Sequence, residues 1–138
     1  MAKQTPVLIK SFAADSAIAN ANVCVVMSGA NAGNVVLPGA PLATKFAGVT
    51  LEPVQPGSLT NEIAVQVAGI AQIQTDGSAT IAAGDYVAIA NSTGQIKTVS
   101  PATGTILREI VGIALSAAAN TAGLLVDVLL QPNIYIGA

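Results

Sequence analysis

The stretch TIAAGDYVAIANSTGQIKTVSPATG, residues 80–104, decides the fold. It contains an apolar β-prone run, a small polar turn with a glycine, and a second run in which apolar and polar residues alternate. Two such runs around a Gly-containing turn are typical of a β-hairpin. The same plan stands earlier in the chain, in NVCVVMSGANAGNVV at 22–36. The sequence therefore predicts a β protein that contains one unit twice.

Further matches between the two halves follow in the same order. Gly33 matches Gly94 in the hairpin turns, and Gly48 in FAGVTLE matches Gly112 in IVGIALS. The run EIAVQVAGI then corresponds to LLVDVLLQ. An ordered series of matches is the signature of an internal repeat. We therefore expect a single β domain over residues 13–138, duplicated at about 17–75 and about 80–136, with these four glycines as duplicated structural positions.

The local patterns favour strands over helices. Alternating apolar residues and β-branched runs predict strands of about five to eight residues, and Gly, Pro and Asn cluster between them. Two short helices are expected, one in AIANA capped by Asp15 or Ser16 and one in SAAANTAG. We predict an all-β fold, a compact sandwich or barrel built from two tandem related β units, with at most short helices.

The composition points to a surface that is partly covered by other molecules. Hydrophobic residues make up 52% of the chain and charged residues 9%, whereas about 25% charged residues is usual in soluble domains. A surface so poor in charge is weakly protected against self-association. We therefore expect the protein to bind copies of itself or a larger partner.

Several kinds of chemistry lack the residues that they need. The chain has no histidine and one cysteine, which excludes His-dependent catalytic triads, His-ligated metals and an internal disulfide. No phosphate-binding loop is present, and Cys24 in VCVVM is expected to be a buried, inert thiol. The carboxylates, and the pair Arg108 and Glu109, are expected to be solvated charges. We predict no enzyme activity, no catalytic, cofactor-binding or metal-binding residues, and no cofactor.

Nucleic acids and membranes are also not expected as partners. Lys3, Lys10, Lys45, Lys97 and Arg108 are scattered along the chain, whereas binding to phosphate backbones requires cations clustered on one face. The longest charge-free stretch is interrupted by Asn, Gly and Pro, so it does not predict a spanning helix. The start, MAKQTPVLIKSF, lacks the apolar core of a signal peptide. We expect synthesis in the cytoplasm without secretion by a signal peptide.

The order of these segments resembles that of a known family. The segments in question are, in order, KSFAADSAI, KFAGVTLE, EIAVQVAGIAQI, TIAAGDYVAIANSTGQIKTV, REIVGIALSAA and AGLLVDVLLQPN. Taken in this order, they resemble the capsid cement, or head decoration, proteins of tailed bacteriophages. The likeness covers about residues 8–136, and it lies in the order and the doubling more than in any single motif. The chain departs from the family in longer loops at LEPVQPGSLTNE and SGANAGN.

The resemblance implies a structural virion protein. Members of the family are compact β-rich domains that coat the outside of the capsid lattice, commonly as trimers. The implied function is to decorate and stabilise the outer surface of a phage capsid by bridging subunits of the major capsid protein. The implied partners are that capsid protein and further copies of the chain, most simply in a homotrimer, and the implied location is the outer surface of the virion.

The N-terminal residues 1–12 are the candidate contact segment, as an arm or as an edge strand. They begin with polar residues and Pro6 and continue into a short β-prone run, and an unpaired strand can add to the sheet edge of a neighbour. The candidate contacts to the capsid or to another protomer are Thr5, Pro6, Val7, Leu8, Ile9 and Phe12.

Two other functions remain open from the sequence. The chain could be another virion component, such as a head fibre base or a tail protein, which would be distinguished by its place on the particle. It could also be a small module that binds carbohydrate or a host surface, which requires aromatic and polar side chains gathered in one set of loops.

Overall fold

The computed structural model describes residues 7–39, 45–53, 62–99 and 107–136. Within these ranges there is no helix, and ten strands form two five-stranded antiparallel sheets. The strands are β1 (Leu8–Ala13), β2 (Cys24–Met27), β3 (Val35–Val36), β4 (Phe46–Thr50), β5 (Glu62–Ala68), β6 (Ile70–Gln74), β7 (Tyr86–Ile89), β8 (Ile96–Thr98), β9 (Leu107–Ala114) and β10 (Leu125–Ile136). The all-β prediction is confirmed.

The two sheets have the same topology. The first sheet has the order β1-β5-β4-β2-β3, and the second has the order β6-β10-β9-β7-β8. Each strand of the first sheet therefore corresponds to the strand five places later in the chain. The predicted pair of related β units is confirmed, and below they are called the first unit (β1–β5) and the second unit (β6–β10).

Backbone geometry at glycine positions also repeats. Gly33 and Gly94, each between the second and third strands of its unit, have φ of 83° and 82°. A second pair lies two residues before the second strand of each unit: Asn22 has φ of 61° and Gly84 has φ of 95°. The backbone N–H of Asn22 donates to Thr50 O and that of Gly84 donates to Ala114 O, both at 2.7 Å. The left-handed conformation is easy for Gly and is tolerated by Asn. The same bends therefore form in both units with different residues.

Each unit is rolled around an apolar interior, and the interior of the second unit is continuous with Cys24, Val26 and Val49 of the first unit. Parallel bridges join Ala14 to Val35 and Thr75 to Ile96, so the end of the first strand of each unit meets its third strand. Ile18 and Ile81 are both buried beneath these rolled sheets. Burial of a side chain of this size stabilises the folded state by about 1.5–3 kcal/mol. The two interiors provide the rigid framework for the surfaces described below.

Two details differ from the sequence expectations. Residues 16–22 and 115–123 are irregular and contain no helix. In the first segment Asp15 binds the β2–β3 turn and Ile18 enters the core, and in the second Ala118 forms a β-bridge with Ile81. The boundary between the units lies at Gly69, because β6 belongs to the second sheet and β1 to the first. The expected copies, at about 17–75 and about 80–136, therefore leave out β1 and place β6 in the first copy, since only Gly69 separates β5 from β6.

Candidate functional site

The N-terminal segment forms an exposed apolar edge. β1 pairs with β5 along Leu8–Ala13 and is the edge strand of the first sheet. Val7, Leu8 and Ile9 are 46%, 61% and 52% exposed. Three adjacent large apolar side chains at this level of exposure are unusual on a sheet edge. This segment is the candidate contact surface for a partner.

The other candidate contact residues have different positions. Phe12 is half-buried against the interior of the first unit, and the Lys10 ammonium lies 5.0 Å from the centre of its ring. Phe12 therefore holds β1 on its sheet. Thr5 and Pro6 lie outside the described residues.

The contact between the units joins different parts of each unit. The turn of the second unit lies on β2 of the first, where Cys24 N donates to Gly94 O at 2.8 Å. At the end of β6, the backbone N–H and the side-chain amide of Gln74 donate to Asn22 O at 2.9 Å and to Ala21 O at 3.0 Å. Burial raises the pKa of the Cys24 thiol far above its usual range, so this cysteine is an unreactive part of the contact.

Glu109 connects the units through backbone hydrogen bonds. Its carboxylate oxygens accept the N–H groups of Lys45 and Phe46, both at 2.9 Å. Glu109 lies in β9 of the second unit and Phe46 begins β4 of the first. The expected solvated charge is therefore wrong for this residue, because the carboxylate binds two N–H groups of the other unit. No residue pattern could have indicated this role, since the partners of Glu109 are backbone N–H groups, which every residue except proline has.

The outer face of the first sheet carries a row of paired side chains that the second unit largely covers. The register places Ile9 opposite Gln66, Gln66 opposite Val49, and Val49 opposite Cys24. The exposed fractions of Cys24, Val49 and Gln66 are only 0%, 1% and 5%, whereas Ile9, at the edge of the sheet, is 52% exposed. Directly paired residues of an antiparallel sheet lie on one face. We call Ile9, Gln66, Val49 and Cys24 the covered row.

The second sheet carries the equivalent row without such a cover. Ile70 pairs with Leu129, Leu129 with Ile113, and Ile113 with Tyr86. Ile70 and Tyr86 are 38% and 45% exposed, and the two central residues are half-buried. We call these four residues the open row. The sequence shows that these residues are apolar, but only the strand register shows that they are adjacent.

The turn of the first unit is an ordered, exposed loop. The Asp15 carboxylate accepts the hydroxyl of Ser28 and, at 2.9 Å each, the side-chain amides of Asn31 and Asn34. These hydrogen bonds, the one from Ser28 above all, lower the pKa of Asp15 below its usual value. Among the described residues, nothing lies within 4 Å of the place where a side chain on Gly33 would begin. The turn is thus fixed in shape while its tip faces open space.

The described residues contain no group of three or more His, Cys, Asp or Glu side chains that could hold a metal ion. In the same ranges, no helix is long and apolar enough to cross a membrane. The described residues present three exposed features that are candidates for contact with a partner: an apolar edge, an open apolar row and an ordered turn.

No protein-family model matches this chain, and no curated protein matches it.

Proposed function

We propose that the protein is a capsid decoration, or cement, protein that binds the outer surface of a bacteriophage head and stabilises it. The role rests on the resemblance in the order and doubling of its segments. It is supported by one observation above all, the exposed apolar edge Val7–Ile9 on a rigid duplicated β framework. The major capsid protein is the proposed partner at this edge.

A cement needs contact area and rigidity. Packaged DNA pushes the shell outward, and the junctions between capsid subunits are its weak points. A clamp over such a junction stabilises it by the free energy of contacts on both sides, and an interface of about 1,600 Å² is a standard size for stable association. Three linked copies, as in the homotrimer that we propose, strengthen binding because each later contact is intramolecular.

The edge strand offers a specific way to hold a capsid subunit. An exposed sheet edge presents backbone N–H and C=O groups that can pair with an extended segment of another protein. Leu8 and Ile9 would add apolar contact area on the same strand. This edge lies in the first sheet, whereas the open row lies in the second sheet.

The test compares DNA-filled heads that carry the protein with heads that lack it. Decorated heads are expected to retain their DNA at a higher temperature, as measured by dye access to released DNA. Leu8→Lys, at a highly exposed position, is expected to weaken binding to the heads at least tenfold, while Leu51→Lys is the matched control on another exposed leucine. Equal release temperatures for decorated and bare heads would disprove the cement role, even for a protein that binds the shell.

A further inference from the structure

We infer that a second copy of this chain binds the open row with the Ser28–Asn34 turn of its first unit. The contact would repeat, between chains, the contact that the second unit already makes on the first unit within one chain. The inference specifies how copies associate and rests on the proposed function only for the number of copies. The contact itself does not require a capsid.

The first argument is the equivalence of the two rows. Residue by residue, Ile70, Leu129, Ile113 and Tyr86 occupy the register positions that Ile9, Gln66, Val49 and Cys24 occupy in the first sheet. Both units therefore carry an equivalent face, and in the first unit the other unit covers most of that face. In the second unit that face is still apolar. Tyr86 is 45% exposed where Cys24 is fully buried, and Leu129 and Ile113 are half-buried where Gln66 and Val49 are buried.

The second argument is the equivalence of the covering elements. In the first unit the Gly94 turn contacts Cys24, and the end of β6 at Gln74 contacts Ala21 and Asn22 beside it. The equivalent elements are the Gly33 turn and the end of β1, both of which belong to the first unit. Gly33 has the same φ as Gly94, but open space surrounds it, whereas Gly94 contacts the backbone of Cys24. One chain therefore carries a partly exposed apolar face on its second unit and, on its first unit, an exposed turn equivalent to the one that covers Cys24.

The third argument is the fit between these surfaces. The receiving position contains Tyr86 where the covered row has the smaller Cys24, and the turn between strands is one residue longer, with seven residues at 28–34 against six at 90–95. The additional residue of the 28–34 turn would allow this turn to bind beside the larger side chain of Tyr86. Asp15 fixes this turn by hydrogen bonds to Asn31 and Asn34, so little conformational entropy would be lost when it binds.

The geometry of this contact determines the kind of assembly. A turn that binds a different surface on the next copy is a heterologous contact, which forms a closed ring or an open chain. Closure at three copies would give the proposed homotrimer, with six β units around one ring. A two-fold dimer through identical surfaces is the alternative that this geometry excludes.

The experiment uses two variants of the full chain that each remove one surface. Tyr86→Glu places a charge on the open row, and Ala32→Glu places one on the exposed turn. Each is expected to weaken self-association about thirtyfold or more, the effect of losing a central contact, and to sediment as a monomer. Leu51→Glu, on an exposed leucine outside both surfaces, is the control and is expected to assemble like the wild type.

The decisive measurement is a mixture of the two variants. The Tyr86→Glu chain retains its turn and the Ala32→Glu chain retains its row, so the mixture is expected to form a one-to-one dimer and nothing larger. Native mass spectrometry would resolve this species, and circular dichroism would confirm that both variants are folded. A wild type that stays monomeric at high concentration, folded variants that assemble normally, or a mixture without the dimer would each overturn the inference. Binding of the variants to heads is a separate measurement, so failure of the capsid role would be recognised independently.

Discussion

The backbone oxygen of Leu129 occupies the place where a side chain on Gly112 would begin. Gly48 has the same relationship to the backbone oxygen of Gln66. In both units the residue after the glycine pairs with the residue that supplies this oxygen, Ile113 with Leu129 and Val49 with Gln66. The close approach of the fourth and fifth strands is therefore a repeated feature, and it permits only glycine.

Gly112→Ala is expected to destabilise the protein by about 2 kcal/mol or more, because a methyl group would overlap backbone atoms that cannot move without breaking the strand pairing. Gly29→Ala is the control, since its site is open and its φ is not positive; it should change stability by less than about 0.5 kcal/mol. The free energy of unfolding from urea titration measures both. Equal effects would show that the close approach at Gly112 is not important.

Gly94→Ala and Gly33→Ala form a pair that separates backbone strain from contact between the units. Both replace a glycine with nearly the same positive φ, so both should lose about 1 kcal/mol from strain. Only Gly94 contacts the backbone of Cys24, so its substitution should cost at least about 1 kcal/mol more. Thermal unfolding of the two variants measures the difference. A Gly33 variant as unstable as the Gly94 variant would contradict this account of the contact.

Glu109→Gln is expected to weaken the contact between the units. The amide keeps one acceptor oxygen, so one of the two hydrogen bonds to Lys45 N and Phe46 N is lost together with the negative charge. Hydrogen bonds to charged groups contribute about 1.5–3 kcal/mol, and the half-exposed position of Glu109 places the loss near the lower end. The rate at which Cys24 reacts with a thiol reagent is a direct readout, because this buried thiol becomes accessible only when the contact opens.

Two controls complete the Glu109 test. Asp127→Gln changes a carboxylate of β10 that does not connect the units, and should leave the labelling rate of Cys24 unchanged. Unfolded protein should label fully in either background. A Glu109→Gln variant that labels as slowly as the wild type would argue against a role of this carboxylate in holding the units together.

The pH dependence of stability should show the hydrogen bonds of Asp15. The folded state lowers the pKa of this carboxyl below 3.8, so the ionised form stabilises the fold at pH values above 3.8. That contribution disappears as the pH falls through the folded pKa. Asp15→Asn removes the titration, so the wild type should be more stable than the variant at pH 6, and the difference should shrink below about pH 4. A difference that is constant from pH 6 to pH 2 would exclude this role.

The fold class and the doubling could be predicted because they depend on local patterns. Alternation in EIAVQV and the ordered glycine matches are visible without any contact information. The equivalence of β1 with β6 was not visible, because LIKSFA and IAQIQ share little beyond apolar alternation. The helix expected in AIANA was wrong since its proposed cap, Asp15, binds a turn distant in sequence.

The surfaces were harder to predict because they depend on pairing across strands. The exposed run Val7–Ile9 could be chosen from its position and its β propensity. The open row joins four residues from four strands, and a shift of one residue in any register would move that strand's residue to the other face. The bond from Cys24 to Gly94 depends on how whole units pack, which composition and periodicity do not describe.

The covalent linker between the two units is the single residue Gly69, and its shortness has a consequence for assembly. A tether this short keeps the partners at a high effective concentration, so the contact within the chain stays closed however dilute the protein is. The equivalent contact between chains has no tether, and its occupancy depends on the amount of protein present. At low concentration the protein would therefore remain as separate chains, each with its internal contact formed. Where many copies bind to one surface, their high local concentration would allow the contact between chains to form.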